Sequence, residues 1–136
     1  MVRVPAVFGV LLAAAPAFAH HSFMGAFDVK QPVTIQGVVA RVLLRNPHAF
    51  IDVDAVGEDG KAVTWTFETA GGGVLIGRGF REAVKVGDPV TVSAYRSRRV
   101  SNLASAGRFK LADGREIVTA DTWGYPGIVD GPGYRK

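Results

Sequence analysis

The sequence predicts a mainly all-β fold. The expected form is a small OB-fold-like barrel of five to six strands with one short helix, preceded by a cleaved signal peptide. Three observations predict it. Several short stretches alternate apolar and polar residues and are separated by turn signals. A long first stretch changes face at a glycine, and a helix-compatible segment falls after the third stretch, which is OB-fold order. The expected organisation is a signal peptide over residues 1–19, the barrel over 20–119 and a flexible Gly/Pro-rich tail over 120–136.

The leader carries Arg3 as a minimal basic start, an apolar run over residues 7–15, and small residues at Ala17 and Ala19 where a signal peptidase inspects the chain. That run falls short of the about 20 residues needed to span a bilayer. No second run follows, so no membrane anchor is expected. Cleavage after Ala19 predicts a periplasmic or secreted protein beginning at His20. The chain has no cysteine, which excludes disulfides, thiolate metal sites, thiol catalysis and a lipoprotein anchor. A formal charge of +4 is mildly basic and describes an ordinary solvated surface.

Residues 20–31 read as an arm pinned down by Phe23 and Phe27. Residues 33–44 read as a strand whose apolar positions move from odd (Val33, Ile35) to even (Val38, Ala40, Val42, Leu44), with Gly37 at the switch. Arg45-Asn46-Pro47-His48 is a turn. The next strand turns Ala49, Ile51, Val53 and Ala55 inward and His48, Phe50, Asp52 and Asp54 outward. A 57–60 hairpin returns the chain with Val63, Trp65 and Phe67 inward, and Thr64, Thr66 and Glu68 outward. Gly71-Gly72-Gly73 reads as a spacer before one short helix over 74–84, weakened by Gly77 and Gly79. Val90, Val92 and Ala94 then point inward, with Tyr95 outward. A basic loop holds Arg96, Arg98 and Arg99. Phe109 and Leu111 precede an Asp113-Gly114 hairpin and a last strand through Val118.

His20-His21-Ser22-Phe23 directly after a leader, Asn46-Pro47-His48, Trp65 with Glu68, and Gly87-Asp88-x-Val90 together resemble a family of small uncharacterised bacterial periplasmic proteins, a domain of unknown function. The resemblance spans His20 to about Val118. It implies location and a compact β-fold, and no activity, so function rests on the residues.

All three histidines of the chain, His20, His21 and His48, stand at polar positions. A terminal His20 would offer its α-amine and imidazole to one metal ion, and His48 or His21 would complete a nitrogen-rich set resembling a histidine brace. Such sites favour Cu(II), so copper is the expected cofactor. Asp28 and Glu68 are the candidate oxygen ligands or orienting acceptors. The plainer reading of the same residues is an exposed polar terminus and a turn histidine. The alternative function is a metal-free OB-fold binding module for an anionic envelope ligand or protein partner, using Phe50, Tyr95, Arg96, Arg98 and Arg99. Export disfavours nucleic acid. No nucleophile elbow, zincin helix or phosphate loop is present, so binding without turnover is expected.

Overall fold

A computed structural model describes residues 23–120; the expected signal peptide, His20, His21 and residues 121–136 of the expected tail lie outside the described residues. A helical turn at 23–26 leads into six strands: β1 (Phe27–Leu43), β2 (Phe50–Val56), β3 (Ala62–Glu68), β4 (Pro89–Ser97), β5 (Leu103–Leu111) and β6 (Glu116–Val118). Two short helices, α1 (Gly72–Gly77) and α2 (Phe80–Ala83), lie between β3 and β4. The sheet runs β3-β2-β1-β4-β5-β6, and a parallel β3–β5 pairing joins Thr66–Glu68 to Leu103–Ser105. That pairing closes a five-stranded ring with OB-fold order, and β6 extends it behind β5.

The ring closes because β1 serves two neighbours. Its first half pairs with β4 and its second half with β2; Gly37 belongs to both ladders, opposite Ala55 and Val90. A Cβ at Gly37 would lie 2.3 Å from the Asp54 carbonyl oxygen and 2.7 Å from Val53 Cγ1. Only glycine allows that approach.

Inward faces follow the expected alternation in β2 and β3, and at Val90, Val92, Ala94, Phe109 and Leu111. Four local expectations are corrected. β1 begins at Phe27, not Val33, because Phe27 is paired with Ser97 and its ring packs 5.2 Å from Phe23. The change of face comes after Val39, where the β1–β2 register shifts before Arg41. Val39 is therefore in the core at 1% exposure, while Val38 is 45% exposed and Ala40 also faces out. The single helix is two pieces, since Gly79 adopts a left-handed φ of 75° between them. Tyr95, expected to be an open outward residue, keeps the outward side of β4 but is covered there, only 7% exposed and outside the core cluster. The β4–β5 register shifts at Ser93/Ala94, with Gly107 as the extra residue in β5, so the inward face of β5 passes from Phe109 to Ala106 and Ala104 while β4 alternates without a break.

The helices plug one end of the barrel. Phe80 meets Phe109 edge-on at 5.3 Å, Phe109 meets Phe67 at 6.0 Å, and Leu75 is fully buried beside them. Each such side chain contributes about 1.5–3 kcal/mol of burial. Arg78 ties the helices to β6 and the residues just after it by donating to the carbonyls of Val118 (3.0 Å) and Ala120 (2.8 Å).

Two glycine substitutions separate the bend from general glycine effects. Gly37→Ala should cost about 1–3 kcal/mol by overpacking against Asp54. Gly77→Ala, with nothing within 4 Å, should gain about 0.5 kcal/mol. Urea unfolding of both variants reads the difference.

Candidate functional site

The loop between β1 and β2 is seated on the glycine run that follows β3. Gly72 N–H donates to the Arg45 carbonyl (2.8 Å), and Gly73 N–H donates to Asn46 Oδ1 (3.3 Å). A Cβ on Gly71 would meet Asn46 Oδ1 at 2.7 Å, and one on Gly72 would meet the Leu44 carbonyl carbon at 2.7 Å. Gly71-Gly72-Gly73 is therefore the bed of this loop, not a spacer. Loop and bed are further joined by Thr69 N–H to the Ala49 carbonyl (3.0 Å) and Ala49 N–H to the Ala70 carbonyl (3.2 Å).

His48 stands on this fixed loop. Its Nδ1 lies 3.2 Å from the Thr69 carbonyl oxygen and 3.6 Å from Glu68 Oε1. A carbonyl can only accept, so Nδ1 carries the hydrogen and the neutral ring's lone pair sits on Nε2. The side chains of His48 and Glu68 are 47% and 26% exposed, so the pair is open to solvent. Beside it, the Arg45 guanidinium lies 4.8 Å from the centroid of the Phe50 ring.

The outer face of β2 and β3 continues from this pair as a lattice of carboxylates. Asp52 accepts from Arg41 Nε (2.7 Å) and Thr66 Oγ1 (2.9 Å), and Asp54 accepts from Thr64 Oγ1 (2.6 Å). The Asp52 carboxylate raises the pKa of Arg41 above the ordinary arginine value through that hydrogen bond and its charge.

The other expected site residues are spread apart. Asp28 is held by Arg98 through two 3.2 Å contacts, while Arg98 Nε also donates to the Met24 and Phe27 carbonyls. Asp28 thus anchors the start of β1 and does not approach His48. Tyr95 is buried and offers no ligand face. Arg96 lies over Trp65 at 4.9 Å, and Arg99 sits exposed in the β4–β5 turn, whereas Phe50 is at the loop with His48. The strand face the OB reading assigned to an anion carries carboxylates instead of these arginines. Among the described residues no group of three or more His, Asp or Glu stands close enough to hold a metal ion. Sequence reasoning missed Thr69, whose carbonyl fixes the imidazole, and the role of Asn46 and the glycines; the uninterrupted Gly-Gly-Gly was the available signal.

With this geometry in hand, comparison with known proteins gives one assignment: the model of a family of unknown function (DUF6152) matches residues 8–105. The chain belongs to that family. The match includes β1 to β4 and the whole loop-and-glycine bed, and it stops within β5 at Ser105, where β5 has just met Glu68 of β3. Comparison with curated proteins and with solved structures found no match.

The loop geometry gives a direct test by nuclear magnetic resonance. The neutral His48 ring should show a protonated Nδ1 and an unprotonated Nε2 in its nitrogen chemical shifts. Gly72→Ala, which drives a methyl group into the loop backbone, should abolish this preference and cost about 1–3 kcal/mol of stability.

Proposed function

We propose that the protein is an exported metal-binding protein of copper type that acts without turnover in the bacterial periplasm. His48 Nε2 is one ligand. His20, through its imidazole and the α-amine freed by cleavage after Ala19, and His21 supply the other nitrogens. The observation that carries this reading is the placement of His48: its Nδ1–H is spent on a backbone carbonyl with a carboxylate alongside, which leaves the lone pair to Nε2 on a side chain 47% exposed. Metal-bound imidazoles are held in this manner, because the outer partner fixes the ring and raises its basicity. Glu68 is the residue that would do so electrostatically. Asp28, engaged by Arg98, is left out of the ligand set.

Nitrogen donors in this number favour Cu(II) over the other common divalent ions by the Irving–Williams order. Binding needs neutral imidazoles and a free amine, so affinity should fall as the pH is lowered and protons compete for these nitrogens.

The test uses mature protein beginning at His20. It should take up one Cu(II) with a nitrogen-dominated paramagnetic resonance spectrum. His48→Ala, or one extra residue ahead of His20, should weaken uptake strongly, and Glu68→Gln should weaken it by about tenfold. Equal copper affinity in the extended and cut proteins would overturn the proposal.

A further inference from the structure

The barrel is filled at its helix end and incompletely covered at the other. Beyond Gly37, β2 ends at Val56 and the 57–61 turn diverges from β1, leaving a mouth of ≈ 960 Å³. Its floor is made of core-facing side chains from three strands: Val33, Ile35, Ala55, Val63 and Trp65. Four of these are only half-buried, in contrast to the sealed Phe67, Phe80 and Phe109 at the helix end. Val56, 74% exposed, adds an apolar rim. An open cleft of this size with an apolar floor and a polar rim is a candidate ligand site, and barrel mouths are among the usual places for one.

The polar groups at one side of the mouth are cationic. The guanidinium of Arg96 lies over Trp65 and has no carboxylate partner among the described residues. A smaller hollow of ≈ 280 Å³ shares Trp65, Arg96 and Asn102 with the mouth and adds Arg99, which also makes no ion pair among the described residues. Arg98, lining the same hollow, is already neutralised by Asp28. The rim's own carboxylates, Glu58 and Asp59, lie in the 57–61 turn, where Asp59 is paired with Lys61 at 3.4 Å. An apolar floor thus ends at two uncompensated arginines on one side and at acidic residues on the other. That polarity selects both a ligand class and a direction of entry.

We propose that the mouth binds a small amphipathic carboxylate, with its apolar tail on the floor from Val33 to Trp65 and its acid group against Arg96 and Arg99. A guanidinium recognises a carboxylate through paired charge-assisted hydrogen bonds, and its stacking on Trp65 holds the plane ready. The site does not depend on the metal reading. Trp65 points into the barrel, whereas Glu68 and His48 lie on its outside.

Dodecanoate is the probe, with dodecan-1-ol (tail without charge) and acetate (charge without tail) as comparators. Titrations are followed by calorimetry and by amide chemical shifts in the presence of a chelator. Dodecanoate should saturate one site, with shifts at residues 33–36, 55, 63, 65 and 96. Both comparators should bind at least about tenfold more weakly. Arg96→Gln should lose about tenfold for dodecanoate while leaving dodecan-1-ol unchanged. Ala55→Phe, which fills the floor, should abolish tail binding. Equal affinity for dodecanoate and dodecan-1-ol in the unaltered protein would overturn the proposal, as would shifts confined to another surface or self-association through the mouth in place of ligand uptake.

Discussion

The close approach of the β1 and β2 backbones at Gly37 governs the rest of the molecule. A straight β1 could pair along its length with one neighbour on each side, giving an open sheet with two exposed edges. By bending where no side chain intervenes, β1 gives its first half to β4 and its second half to β2. β3 is then brought round to β5, and three residues of parallel pairing complete the ring. The same bend has a second consequence. Past Gly37 the β2–β3 hairpin no longer follows β1, so the barrel is sealed where the helices cover it and stays open where the hairpin diverges.

Rigidity at the β1–β2 loop comes from backbone contact, not from a side-chain cluster. Connecting loops ordinarily pack little and move readily. This one is laid into a strip of glycines close enough for its carbonyl and its Asn46 side chain to bond directly to peptide N–H groups. Thr69, at the junction, spends its backbone N–H on the Ala49 carbonyl and its own carbonyl on the imidazole. The result is an exposed histidine whose ring is oriented before any ligand arrives. Such preorganisation is what the proposed metal-binding role asks of an imidazole.

Much of the barrel was legible because alternation reports directly on burial: Ile51, Val53, Phe67, Val92 and Phe109 all lie where a period of two puts them. What alternation cannot report is where a strand gains a residue. The face change in β1 was visible as a shift from odd to even positions, but glycine drew the bulge to Gly37. The extra residue lies after Val39, because the bend and the bulge are separate devices a few residues apart. The burial of Tyr95 was hidden for another reason: alternation sets the face of a side chain, and whether another part of the chain covers that face has no signal within β4. His48 and Glu68 could be placed on one outer face from their strands alone. Their shared partner Thr69 could not, since a backbone carbonyl has no residue type to read.

β3 joins the two ends of the molecule and behaves differently at each. From Thr66 to Glu68 it is paired on both sides, to β2 and to β5, and this doubly held segment leads directly into Thr69 and the His48 loop. From Ala62 to Trp65 it is paired with β2 alone, and this half lines the mouth. A strand fixed by two ladders resists displacement, whereas one held by a single ladder can shift with its hairpin. The division suits the chemistry proposed at each end. An imidazole set for a small ion needs fixed geometry, because metal–nitrogen bonds tolerate little error in length. An apolar floor that receives a flexible tail gains from a wall able to adjust. Parallel closure over only three residues thus leaves one short strand rigid beside the His48 loop and yielding beside the mouth.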